Sequence, residues 1–214
     1  MNSPQGTGRV ILSVIGPHSD CGKTTFVAHL LRHVPGLGCL KISPAHEWPG
    51  KSPASGVVIG GDYYLEGWAD LNRPGKDTAL YLAAGAARAR RLRHRRDGLA
   101  AGLEAALHDY PPGMSVVVEG SRAVRLLQPV AVVLVVRPPI REMKPATEAI
   151  LSRVTDLLIN ASDGEGQAAA EARRLPQEFP ALHPQYTWTA DLILQPPPDD
   201  MLARLRSLLT PGPR

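Results

Sequence analysis

Cysteine is nearly absent: Cys21 and Cys39 are the only two in 214 residues. That is too few for a disulfide framework, and a reducing, cytoplasmic setting is the expectation. Aromatic residues amount to 5% and are not interleaved with the basic residues as a base-stacking platform needs, so nucleic acid is not an expected partner. The longest apolar run, 130–136, is too short to cross a bilayer. Residues 1–9 are polar and lack the apolar core of a signal peptide, so no membrane association is expected. There is no internal repeat and no linker that would divide the chain. One nucleotide-binding domain over 1–214 is expected, with flexible ends at 1–8 and 211–214.

What is present is an alternation of apolar β-branched runs with helical segments. Strands are expected at 9–15, 38–42, 57–59, 115–119, 129–136, 156–160 and 189–194. Helices are expected at 25–33, 77–96, 99–108, 147–154, 167–175 and 199–209. Continuous runs such as Val130 to Val136 suit strands buried on both faces. The fold class is therefore α/β, a three-layer sandwich with a mostly parallel sheet. The stretch 43–76 is rich in glycine and proline and reads as a switch-like insertion that responds to ligand.

The strongest chemical signal lies between the first strand and first helix, in Gly16-Pro17-His18-Ser19-Asp20-Cys21-Gly22-Lys23-Thr24-Thr25. Glycines let a backbone approach a phosphate closely, and N–H groups at a helix start point at it. Lys23 can neutralise β- and γ-phosphate charge, and the Thr24 hydroxyl can ligate Mg²⁺. Gly16, Ser19, Asp20, Cys21, Gly22, Lys23, Thr24 and Thr25 are the expected phosphate contacts. Five residues separate the glycines, where the commoner pattern has four. This spacing resembles the loops of dethiobiotin synthetase and the cobyrinate amidotransferases, P-loop proteins of the same broad class as the metallochaperone GTPases.

In that class an acidic residue after a later strand often meets Mg²⁺ and nucleotide. Glu119, closing Val116-Val117-Val118-Glu119, stands at a strand's carboxyl end, the ligand edge of an open α/β sheet. Lys23, Asp20 and Glu119 form the candidate catalytic set, and Thr24 with Glu119 the metal set. Asn160 and Asp163 occupy the place of a guanine-recognition motif, with Ala161 where a lysine is usual. Both also suit the cap of a following helix. GTP is the expected nucleotide, with ATP as the alternative.

Arg73-Pro74-Gly75-Lys76-Asp77-Thr78, followed by Ala83-Ala84-Gly85-Ala86, resembles the Pro-Gly-Lys-Asp-Ser and Ala-Gly-Ala segment of the molybdopterin-guanine dinucleotide biosynthesis protein B family. The order of elements agrees over 9–120. The resemblance implies a GTP-binding accessory in molybdenum cofactor biosynthesis, dimeric, working with molybdopterin or a cofactor-maturation enzyme. It places Lys76 and Asp77 near nucleotide or pterin phosphate; read from the residues alone, Asp77 also suits the helix dipole. The chain departs from the family in its longer phosphate loop and in Lys41-Ile42-Ser43-Pro44-Ala45-His46, where the family has a His-rich stretch. The Asn-Ala-Ser-Asp of the second half looks instead like the nickel-chaperone GTPases.

Two rivals stay open: an ATP-dependent kinase or ligase like dethiobiotin synthetase, and a metallochaperone with Cys39 or His46 at a dimer-interface metal. Finally, the run 88–96 holds six arginines, without which the chain has 18 basic against 20 acidic residues. Read as a helix, it is a solvated basic face or a docking face for an anionic partner.

Overall fold

A computed structural model describes residues 9–49, 56–95, 97–140 and 142–210. The ends expected to be flexible, 1–8 and 211–214, lie outside these. The first half runs β1 (Ile11–Ile15), α1 (Lys23–His33), β2 (Gly38–Pro44), β3 (Val58–Ile59), β4 (Tyr63–Leu65), α2 (Trp68–Leu71), α3 (Asp77–Ala83), β5 (Arg88–His94) and α4 (Gly98–His108). The second runs β6 (Val116–Glu119), β7 (Ala131–Val136), α5 (Pro145–Glu148), β8 (Asp156–Asn160), α6 (Glu165–Glu178), β9 (Tyr186–Ala190) and α7 (Asp199–Leu209). Short 3₁₀ turns occupy Ser121–Arg125 and Leu151–Arg153.

The strands form one nine-stranded sheet in the order β3-β4-β5-β2-β6-β1-β7-β8-β9. All pairings from β5 to β9 are parallel, and among the described residues the antiparallel pairings are the two at one edge, β3 with β4 and β4 with β5. The expected α/β sandwich is what forms. Alternate side chains of β1 serve opposite faces. Leu12 and Val14 join Phe26, Leu30, Met201 and Leu205 beneath α1 and α7. Ile11 packs with Leu40, Leu92 and Leu103 beneath α4, and Ile15 with Leu134, Ile159 and Ala168 beneath α6. The central strands β1, β6, β7 and β8 are buried along their whole length, which accounts for their unbroken apolar runs.

The largest departure from expectation is at 77–96. The helix stops at Ala83, and Gly85, at φ +96°, closes it with bonds from Gly85 N to Leu82 O and Ala86 N to Tyr81 O. The arginine run then becomes β5, pairing with β2 over seven residues and with β4 on its other side. Arginine is a good helix former, but propensity is a weak prior, and pairing with two neighbouring strands overrides it. As a strand the run sorts its charges between faces. Arg90 meets Asp109 at 2.6 Å on the α4 side, while Arg91 and Arg93 meet buried Glu66 at 3.6 and 2.8 Å on the other. The docking helix therefore does not exist, and three of its arginines are spent inside the molecule.

Smaller corrections follow the same logic. The helix expected at 147–154 is the single turn α5 plus a 3₁₀ turn. The last strand lies earlier than 189–194, because β9 takes its register from β8, Asp156 opposite Tyr186 through Asn160 opposite Ala190. The glycine-rich 43–76 contributes β3, β4 and α2 to the sheet edge, and its residues 50–55 lie outside the described set.

Candidate functional site

The loop between β1 and α1 is held in place from three sides. Gly22, at φ +102°, lets the chain turn into α1, and a Cβ there would meet Asn160 Nδ2 at 2.7 Å. A Cβ on Gly16 would meet Cys21 Sγ at 2.5 Å. Asn160 Nδ2 donates to Cys21 O at 3.4 Å, while Asn160 Oδ1 accepts from Leu192 N at 3.2 Å. From the opposite side Thr147 Oγ1 donates to Gly16 O at 2.9 Å, and Lys144 N donates to Pro17 O at 2.9 Å. Lys23 closes the third side by donating from Nζ to His18 O at 2.6 Å. The result is a pre-shaped cradle of backbone N–H groups at the start of an 11-residue helix.

Facing the cradle is a cluster of oxygens around one ammonium group. Lys41, in the middle of β2, places Nζ 2.5 Å from Asp77 Oδ2, 3.0 Å from Glu119 Oε1 and 3.4 Å from Thr24 Oγ1. Thr24 Oγ1 lies 3.3 Å from Glu119 Oε2, which also accepts from the buried Tyr81 hydroxyl. Burial pushes the Asp77 carboxyl upward, but the bond and charge of Lys41, with help from Thr24 and Arg91, hold it below the usual carboxylate range. Burial, then the charge of Glu119, push the Tyr81 hydroxyl well up, so it stays a donor. These hard oxygen donors already surround one cation, the Lys41 ammonium. The set fits Mg²⁺, with Thr24, Glu119 and Asp77 as the residues that would hold it once Lys41 withdraws.

The two halves line a cleft of about 990 Å³ along the carboxyl edge of the sheet. Gly16, Ser19, Asp20, Gly22, Lys23, Thr24, Thr25, Asp77, Glu119 and Asn160 all line it. Three sequence candidates do not. Cys21 is fully buried beneath the loop, with Sγ 3.3 Å from Lys23 Nζ. Lys76 precedes α3 as its N-cap, outside the cleft lining. Asp163 stands apart too, bound through both carboxylate oxygens by Arg137 at 2.6 and 2.8 Å. That pairing holds the Asp163 carboxyl below its usual range. Cys39 is in the core, where burial pushes its thiol well up, so it is no surface metal ligand. Among the described residues, no group of three or more His, Cys, Asp and Glu could hold a metal ion.

Sequence reasoning missed Lys41, Arg91, Arg137, Lys144 and Thr147. Lys41 carried a usable signal, the lone charge within a buried strand. The others depend on long-range packing.

No protein-family model and no curated protein matches the chain. Solved structures do. The hydrogenase maturation factor HypB from Archaeoglobus fulgidus superposes with a TM-score of 0.55 at 12% identity, covering 97% of this chain and 94% of that one. A Zn(II)-bound triple mutant of the YjiA GTPase gives 0.51 at 13% identity, covering 100% of this chain and 67% of that one. The fold is that of HypB and YjiA. It is the mostly parallel α/β sandwich expected from the sequence, and at these identities the likeness speaks to the fold alone. No helix among the described residues is long and apolar enough to cross a membrane.

Proposed function

We propose that this protein binds a nucleoside triphosphate with Mg²⁺ on the Gly16–Thr25 loop and hydrolyses GTP slowly while assisting maturation of a metal cofactor. The observation that carries the reading is the convergence of Lys23 and the loop amides with the Thr24–Glu119–Asp77 oxygen cluster across one cleft. Lys23 exchanges His18 O for a phosphate oxygen, and the loop amides stabilise charge on the transferred group. Mg²⁺, when bound, neutralises the β- and γ-phosphate oxygens. Lys41 then leaves the oxygen cluster and turns toward the terminal phosphate. Asp20, lining the cleft at φ +59°, is the third member of the catalytic set, beside the attacking water.

The base lies toward β8 and β9. There Asn160 fixes the loop and Ile193, 70% exposed, offers an apolar face. Guanine recognition by Asp163 requires Arg137 to release it. That engagement favours a second reading, ATP rather than GTP, in which Asp163 and Arg137 are purely structural. Support for cofactor maturation comes from the likeness to HypB, a hydrogenase maturation factor, and from the segment 73–78. That segment, which resembles part of the molybdopterin-guanine dinucleotide family, carries Asp77 into the cleft lining and leaves Lys76 outside it. A cytoplasmic homodimer is part of the same reading, supported by β3 at the edge of the sheet, where Val58 and Ile59 are exposed.

Phosphate release from GTP and from ATP, measured with Mg²⁺ for the wild type and Lys23→Ala, tests the proposal. Slow release from GTP that Lys23→Ala abolishes is expected. Release from ATP alone would select the second reading, and none from either would remove the hydrolytic step.

A further inference from the structure

A second pocket of about 790 Å³ opens beside the nucleotide cleft and shares Pro44, His94, Ser121, Arg122, Pro145 and Ala146 with it. It lies at the end of the cleft farthest from Asn160, past Lys41 and Glu119. On the proposed reading of the cleft, that is the terminal-phosphate end. Among the described residues its charged lining is entirely basic: Arg95, Arg122 and Arg125 with the His94 ring, and no acidic residue. None of the three arginines has a carboxylate partner among the described residues.

His94 is the decisive group. It is 5% exposed, and among the described residues neither Nδ1 nor Nε2 has a hydrogen-bond partner. A buried polar ring left without partners carries a desolvation penalty, so native structures rarely leave one unmet. Its position is fixed by the sheet, between Tyr63 of β4 and Pro44 of β2, and by the bond from Ala45 N to His94 O at 2.8 Å. Burial, then the charge of Arg122, hold the ring below its ordinary pKa, so near neutral pH it offers one N–H to an acceptor. Arg95 is braced over the Trp48 ring at 4.5 Å, and Arg125 is tied to Ala149 O at 3.1 Å. The guanidinium groups of Arg95 and Arg125 are thus partly ordered before any ligand arrives.

We propose that this pocket binds a phosphate-bearing small molecule alongside the nucleotide, its anionic group held by the His94 ring and the guanidinium groups of Arg95, Arg122 and Arg125. The placement as a neighbour of the terminal phosphate rests on the nucleotide reading; the anion site itself does not. Guanidinium groups grip phosphate through paired N–H bonds, and the unsatisfied imidazole supplies the donor at the pocket's inner wall.

Inorganic phosphate is the probe, titrated into protein saturated with Mg²⁺ and a non-hydrolysable GTP analogue, with the histidine ring signals followed by NMR. The His94 signals, assigned through His94→Gln, are expected to shift saturably. Arg95→Gln with Arg125→Gln, which line only this pocket, should weaken phosphate binding about tenfold or more and leave the analogue's affinity unchanged. The titration is repeated on nucleotide-free Lys23→Ala, where the same His94 shift is expected. No shift in either sample overturns the site even if the analogue binds normally. A shift that Lys23→Ala removes places the phosphate in the loop and overturns it too. Failure of the analogue to bind, with the His94 shift intact, would count against the nucleotide reading and leave this site standing.

Discussion

Lys41 Nζ stands 3.0 Å from Glu119 Oε1, and the two side chains are 14% and 4% exposed. The ammonium group neutralises two carboxylates, Glu119 and Asp77, in the place where a nucleotide-bound cation belongs. Breaking a buried pair from one side leaves an uncompensated charge and costs roughly 3 kcal/mol or more. Lys41→Met is therefore expected to lower the melting temperature in metal-free buffer by roughly 6–12 °C. Mg²⁺ should recover part of that loss in the variant and do little for the nucleotide-free wild type. Equal melting temperatures in the two metal-free proteins would show that Lys41 is not the stand-in cation.

Asp77 carries a pH signature of the same cluster. Its carboxyl is held below the ordinary value of 3.8, so its contribution to stability is complete above that value and is lost as pH falls through the lower, folded-state value. Asp77→Asn should flatten the acid limb of the stability curve below about pH 4 while leaving neutral pH to report only the lost pairing. Urea midpoints taken at pH 3, 4 and 7 distinguish this from a uniform drop.

Asn160 ties the phosphate loop to the β9 end through Cys21 O and Leu192 N. Asn160→Ala leaves both backbone groups unsatisfied, at about 1–3 kcal/mol for each such group. A loss of stability with a parallel loss of nucleotide affinity is expected, about tenfold or more. Unfolding curves and analogue binding should move together. Intact binding in a destabilised protein would mean that the loop keeps its shape without this tie.

Arg137 and Asp163 test the choice of base. Freeing Asp163 with Arg137→Ala is expected to raise the preference for GTP over ATP, and Asp163→Asn to abolish it. Competition between the two nucleotides reads this directly. An unchanged ratio in both variants would assign the pair a structural role.

Much of this arrangement is legible in the sequence because it is local. Gly16 to Thr25 follows a buried strand and opens a helix, and Val116 to Glu119 delivers an acid at a strand end, all within short spans of chain. The arginine run is not local in this sense. Arg88 to His94 carries helix-compatible residues, and only the presence of β2 and β4 on either side turns it into a strand. Lys41 becomes a site residue only when Asp77 and Glu119, far along the chain, arrive beside it. The same distance hides Asp163, whose motif reads as base recognition until Arg137 is seen holding it.

The central claim, nucleotide binding on the Gly16–Thr25 loop through Mg²⁺, is tested most directly by calorimetric titration of a non-hydrolysable GTP analogue with and without the metal. The wild type is expected to bind with Mg²⁺ and to lose most of that affinity without it. Lys23→Ala, folded by circular dichroism, should bind about a hundredfold more weakly or worse, the loss of roughly two charge-assisted bonds. Binding of equal strength in wild type and Lys23→Ala, indifferent to Mg²⁺, would contradict it.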